Sequence, residues 1–101
     1  VYPPQTVSKD ILDKLTSVTL SITRALNIKG LLNLQFVINR GEVYVIEVNP
    51  RSSRTVPFLS KVTNVQMAKI ATRAIMGESL LSQGYFHGAL EPKDHVAVKS
   101  P

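Results

Sequence analysis

The sequence predicts a small α+β fold, in which an antiparallel sheet containing a central hairpin packs against two main helices. Residues 8–27 and 63–77 carry apolar side chains at helical spacing. Residues 31–50 between them alternate around a turn, in the manner of two strands. The chain of 101 residues is long enough for one modest core, so we expect a single partial domain over residues 1–101.

The first helix is predicted over residues 8–27, with the Ser8 hydroxyl as its cap and Asp10 in the first turn. Five Ser or Thr residues between Thr16 and Thr23 weaken its intrinsic helicity. The helix therefore depends on the burial of one apolar stripe. The stripe consists of Ile11, Leu15, Val18, Ile22 and Ala25 or Leu26.

Residues 31–50 are predicted to form the hairpin, and the length of its loop decides which side chains share a face. A two-residue loop, Arg40 and Gly41, would place Glu47 among the apolar side chains of the first strand. A three-residue loop that starts at Asn39 separates polar from apolar residues, and we expect it because a buried Glu47 would have no partner. The apolar face would then hold Leu34, Phe36, Ile38, Tyr44, Ile46 and Val48, and the other face Asn33, Gln35, Val37, Val43, Val45, Glu47 and Asn49.

The second half of the chain is predicted to begin with a phosphate and metal loop over residues 51–62, in which Pro57 can open a short helical turn. A helix over residues 63–77 follows, with Thr63 and Gln66 at the spacing of a capping box. A final strand is expected over residues 95–100. The apolar stripe of the second helix consists of Met67, Ile70, Ala71, Ala74 and Ile75.

The net charge of +5 is concentrated in one part of the chain. The stretch from Val48 to Gly77 contains no Asp or Glu. An anionic partner is therefore expected along this stretch. Its basic residues are Arg51, Arg54, Lys61, Lys69 and Arg73.

Several classes of function are excluded by composition. The absence of cysteine excludes disulfides, thiolate metal sites and a cysteine nucleophile, and it favours a cytoplasmic location. No apolar run approaches the roughly 18 residues of a membrane span, and no secretion signal is visible. His87 and His95 stand apart from other metal-binding side chains, so neither is expected to be a ligand. The chain starts at Val1 and stops just after the predicted final strand, so we expect it to be a piece of a longer protein.

Glu47 and Asn49 form the centre of a candidate metal site. They are two residues apart on one strand, so their side chains project to the same side with Cα atoms about 7 Å apart. Gln35 on the neighbouring strand adds another hard oxygen, and this ligand set suits Mg²⁺ or Mn²⁺. Arg51 and Arg54 follow directly, where their guanidinium groups can hold phosphoryl oxygens. The residues therefore predict a combined metal and phosphate site.

A different class of function uses the same basic residues. A non-enzymatic α+β module could bind nucleic-acid phosphates through the five cations between Val48 and Gly77. The expected hairpin register opposes this, because Phe36 and Tyr44 would face the core and Glu47 would repel phosphates without a metal. We therefore expect no nucleic-acid partner.

The run from Ile46 to Lys61, IEVNPRSSRTVPFLSK, closely resembles the ATP-grasp domains of the large subunit of carbamoyl phosphate synthetase. The run from Gly30 to Phe36, GLLNLQF, and the twelve-residue interval from Gln35 to Glu47 strengthen the likeness. The sequence RTVPF, from Arg54 to Phe58, is similar to the same stretch in the second ATP-grasp half of that subunit, the half that phosphorylates carbamate. The resemblance is dense from about residue 8 to 83 and implies the C-terminal subdomain of an ATP-grasp fold.

The resemblance also implies roles for individual residues. Gln35 and Glu47 would bind one divalent ion, and Glu47 and Asn49 a second, so that both ions hold the phosphates of ATP. Arg51 and Arg54 would line the pocket for the phosphoryl group and carbamate, which becomes carbamoyl phosphate. Val62 and Asn64 depart from the Ala and Gly usual in the family, and neither position is a proposed ligand.

The implied partners are ATP, carbamate or bicarbonate, ammonia, the glutaminase small subunit and the remaining large-subunit domains, and no membrane. An ATP-grasp site holds its nucleotide between two subdomains, and the segments expected from the first are missing. The isolated chain is therefore expected to be inactive. The pathway, pyrimidine or arginine synthesis, stays open, as does another ligase of the ATP-grasp fold.

Overall fold

The computed structural model describes residues 1–85 and 88–101. It confirms the predicted α+β class, with helices and a two-stranded antiparallel hairpin. Three helices are described rather than two. The elements are α1 (Lys9–Ala25), β1 (Asn33–Asn39), β2 (Glu42–Asn49), α2 (Thr55–Thr63) and α3 (Met67–Ile75).

Helix α1 begins as predicted, with the Ser8 hydroxyl accepting a hydrogen bond from the Ile11 amide at 3.3 Å. Its threonines donate to the carbonyl four residues earlier, as Thr19 does to Leu15 at 2.7 Å. The threonine hydroxyl groups thus find their hydrogen-bond partners within the helix itself. Ile11, the first residue of the predicted stripe, is buried.

The hairpin turn differs from the predicted three-residue loop. Asn39 pairs with Glu42, so the loop consists of Arg40 and Gly41 alone. Both loop residues have positive φ, 51° and 76°, as in the mirror-image turn that matches the right-handed twist of paired strands. The expected loop length was wrong because this match to the strand twist outweighs the energetic cost of placing Arg40 in a left-handed backbone conformation.

A β-bulge restores the polar face that the shorter loop would have broken. Gln35 lies opposite Glu47 and Phe36 lies opposite Val45, so Ile46 is an additional residue in β2. Beyond the bulge, Glu47 shares the face of Gln35, as expected. On the turn side the expectation was wrong: Tyr44 lies on the Gln35 face, whereas Val43 and Val45 lie on the face of Leu34, Phe36, Ile38 and Val48.

Residues 51–62 are largely helical rather than a loop. Helix α2 starts at Thr55, and Pro57 is tolerated because it occupies the first turn, where its missing N–H would have no partner within the helix. The Thr63 hydroxyl donates to the Leu59 carbonyl at 2.6 Å, so Thr63 belongs to α2 and forms no capping box with Gln66.

The predicted helix over residues 63–77 is consequently shorter at its start. Asn64 ends α2 in the left-handed conformation, at φ 56°, which asparagine tolerates better than most residues. Helix α3 then begins at Met67. Gly77 lies just past its end with φ 103°, a position that favours glycine.

The predicted strand over residues 95–100 is reduced to a single bridge between Tyr2 and Ala97. Each of these residues donates its amide to the carbonyl of the other at 2.8 Å. A strand needs a run of paired neighbours, and the N-terminal segment offers one pairing residue in the described structure. The bridge nevertheless ties the two ends of the chain together.

Packing is open throughout the described residues. Helix α1 packs against β2, and α2 packs against α3. Lys14 joins α1 to the hairpin turn by donating to the Gly41 carbonyl at 2.6 Å. Of the residues that the structure describes, only Ile11 and Thr63 are buried, while Tyr44 and Ile46 are more than half exposed. Among the described helices, none is both long and apolar enough to cross a bilayer.

Candidate functional site

The candidate metal ligands lie together on one face of the hairpin. Gln35 and Glu47 are direct cross-strand partners, which puts their Cβ atoms about 5 Å apart. Asn49 is two residues further along β2 and therefore projects to the same side as Glu47. Asn33 lies opposite Asn49 and completes a patch of one carboxylate and three amides.

The chemistry of this patch suits a hard divalent cation. Gln35 and Glu47 are exposed and Asn49 is half-buried. Within the described residues, none of these three side chains forms a hydrogen bond or an ion pair. Their oxygens are thus available as ligands, and carboxylate and amide oxygens are the donors that Mg²⁺ and Mn²⁺ accept.

The charge of the patch indicates which partner would accompany a metal. The described residues contain no group of three or more His, Cys, Asp or Glu side chains placed so that they could hold a metal ion. Glu47 alone neutralises half the charge of one divalent ion, so further negative charge has to come from the bound molecule. This balance favours an ion that arrives with phosphates. His95 belongs to no such group, and His87 lies outside the described residues.

The loop that follows β2 holds the two arginines. The Arg51 amide donates to the Asn49 carbonyl at 2.8 Å, which turns the chain sharply at the end of the strand. The Arg51 guanidinium donates to the Ser52 carbonyl at 3.0 Å. Ser53 accepts from the Thr55 amide through its hydroxyl, at 3.3 Å, and fixes the entry to α2. Two cationic side chains therefore follow Asn49 within five residues.

Arg54 occupies the N-cap position of α2, with helical backbone angles. Its side chain is exposed, and the N-terminus of a helix adds partial positive charge to the cation already present. Arg51 is also exposed. The arrangement can attract and orient an anionic group near the end of β2.

A cavity of about 390 Å³ opens beside this loop. Arg51 and Ser52 line it together with Lys29 and residues of α3, while Gln35, Glu47, Asn49 and Arg54 do not. Gly30 allows the chain to approach α3 closely, since a Cβ atom there would lie 3.0 Å from Cδ1 of Ile75. The structure thus separates an arginine cavity from the polar patch on the hairpin.

Two residues near the candidate site were not predicted from the sequence. Tyr44 is 54 % exposed on the Gln35 face, and the expected loop length had hidden it in the core. Lys29 joins Arg51 at the cavity, and nothing in its local sequence indicated a role. Asn33 was assigned to the correct face without a function, although its two-residue spacing from Gln35 was a usable signal.

One comparison with known proteins identifies the family. The model of the family described as carbamoyl-phosphate synthase L chain, ATP binding domain, matches residues 1–83. The match covers most of the chain, so the chain belongs to this family. The resemblance noted in the sequence is thereby confirmed, and with it an ATP-grasp ligase domain that uses ATP in phosphoryl transfer.

The hairpin geometry predicts that Glu47→Gln weakens Mn²⁺ binding by about tenfold or more, because the patch loses its one negative charge. The matched control is Glu42→Gln, which removes an exposed carboxylate from the other end of the same strand. Paramagnetic broadening of amide NMR signals during a Mn²⁺ titration measures both. Equal affinities in the two variants would contradict the assignment of Glu47.

Proposed function

We propose that this member of the carbamoyl-phosphate synthase ATP-binding domain family supplies the metal and phosphate half of a site where ATP phosphorylates carbamate. The observation that carries the proposal is the cross-strand pair of Gln35 and Glu47, followed within seven residues of Glu47 by Arg51 and Arg54. The likeness of the stretch from Arg54 to Phe58 to the carbamate-phosphorylating half supports the choice of acceptor.

Gln35, Glu47 and Asn49 are the residues that would hold divalent ions. Gln35 and Glu47 would share one ion, and Glu47 and Asn49 a second, with Mg²⁺ or Mn²⁺ as the fitting metals. When bound, such ions offset the negative charge on the phosphate oxygens of ATP. The unused oxygens of these side chains, of which Gln35 and Glu47 are exposed and Asn49 is half-buried, support this assignment.

The two arginines act on the transferring group. A guanidinium is planar, permanently charged and able to donate two parallel hydrogen bonds to phosphoryl oxygens. Arg54, at the N-cap of α2, would stabilise the charge that develops as a carbamate oxygen bonds to the γ-phosphorus and the bond to ADP breaks. Arg51 would orient the acceptor and the phosphoryl group at the cavity mouth. The products are ADP and carbamoyl phosphate.

The exposure of the site to solvent indicates that another part of the enzyme covers it during the reaction. Electrostatic stabilisation is strong only where water is excluded, yet Gln35, Glu47, Arg51 and Arg54 are all exposed. We therefore assign the other side of the nucleotide to a second subdomain. Ammonia from a glutaminase small subunit, together with bicarbonate and the remaining large-subunit domains, would provide the carbamate.

Arg54→Ala and Glu47→Gln should each lower the rate by about 10²–10³, the usual cost of losing a charged group that acts in the transition state. The enzyme that carries this chain is assayed in reverse, as ATP formation from ADP and carbamoyl phosphate, which isolates the carbamate step. Arg24→Ala is the control, since Arg24 is an exposed cation at the end of α1, outside the basic stretch from Val48 to Gly77. Near-normal turnover in Arg54→Ala or Glu47→Gln would contradict the assigned roles.

The chain of residues 1–101 by itself should neither form carbamoyl phosphate nor hydrolyse ATP, because the side chains proposed to bind the phosphates of ATP face open water. A phosphate-release assay on the purified chain checks this, with its Glu47→Ala variant as the comparison. Turnover that disappears in the variant would show that no second subdomain is needed.

A further inference from the structure

One side chain from the C-terminal segment reaches the phosphate loop. The ammonium group of Lys99 donates a hydrogen bond to the backbone carbonyl of Arg54 at 3.2 Å. The two residues are 45 positions apart in sequence. The contact therefore joins the last described segment of the chain to the start of α2.

A second contact fixes the base from which Lys99 extends. Ala97, two residues earlier, forms the paired backbone bridge with Tyr2, with both N–O distances at 2.8 Å. The segment is thus held at Ala97 before its lysine crosses to Arg54. A lysine stem on a tethered backbone loses less conformational entropy on making its contact than one on a free tail.

Arg54 lies where the chain enters α2. It caps α2 without a side-chain hydrogen bond to the helix, and the neighbouring contacts are made by Ser53. A carbonyl oxygen can accept two hydrogen bonds, so the contact from Lys99 does not compete with the helix. The contact restrains the Arg54 peptide group and, with it, the backbone from which the Arg54 side chain extends.

We propose that Lys99 is a positioning residue for Arg54. This role rests on the proposed function: the C-terminal segment sets the orientation of Arg54, the arginine that stabilises the transferring phosphoryl group. Both residues are exposed, so the contact is screened by water and its effect is moderate. Its effect falls on the rate of transfer rather than on nucleotide affinity.

The test uses the enzyme that carries this chain and the reverse reaction from ADP and carbamoyl phosphate. Lys99→Met should lower kcat about three- to tenfold while the KM for ADP stays within about twofold. Lys99→Arg, which keeps a cationic donor, should restore at least half of the rate. Lys93→Met is the control, because Lys93 is an exposed lysine of the same segment.

A double-mutant cycle separates positioning from a structural role. In the Arg54→Ala background, Lys99→Met should cause no further loss, since the side chain it positions is gone. The same three- to tenfold loss in both backgrounds overturns the inference, as does a normal kcat in Lys99→Met beside an impaired Arg54→Ala. A normal rate in Arg54→Ala overturns the proposed function and this inference together.

Discussion

The β-bulge at Ile46 determines how the hairpin distributes its side chains between the two faces. Without the additional residue, the register set at the turn would continue, and Glu47 would stand opposite Leu34 on the apolar side. On that side its carboxylate would lie among the half-buried side chains of Leu34 and Val48 and lose hydration without gaining a partner, whereas a bulge gives up about one backbone hydrogen bond, or roughly 1 kcal/mol. The bulge therefore allows the hairpin to keep the two-residue turn that fits the strand twist and, at the same time, to keep the Glu47 carboxylate in solvent.

Consequences of the bulge extend to the chemistry of the site. It places Glu47 beside Gln35, and it leaves Asn49 at the end of β2 where the chain turns into the arginine loop. Helix α2 then begins at once and presents Arg54 at its N-terminus. The proposed metal ligands and the proposed phosphate-binding arginines thus come from consecutive pieces of chain at the end of one strand.

The features that the sequence predicted correctly are those governed by local physics. Ser8 caps α1 because its hydroxyl needs only the amide three residues on, and Asn64 adopts a left-handed backbone for an equally local reason. The separation of Glu47 from the apolar face followed from the cost of burying charge. The family itself could be inferred from a long contiguous run that starts at Ile46.

The features that the sequence did not predict depend on contacts between residues distant in sequence, or on two local effects that offset each other. The shorter loop shifts the strand register by one residue, and the bulge shifts it back. A prediction that assumes one register along the whole hairpin could not find this combination, which places Tyr44 on the face of Gln35. The terminal strand required a partner run that Tyr2 does not extend. Lys99 gave no signal, since its contact with Arg54 spans 45 positions.

The register of the hairpin is the claim on which the site depends, and cross-strand NOEs measure it directly. In the chain labelled for NMR, this register predicts close backbone contacts between Gln35 and Glu47 and between Phe36 and Val45, with Ile46 left unpaired between Val45 and Glu47. Contacts that pair Gln35 with Ile46 and Leu34 with Glu47 would contradict it, because Glu47 would then face away from the proposed metal ligands.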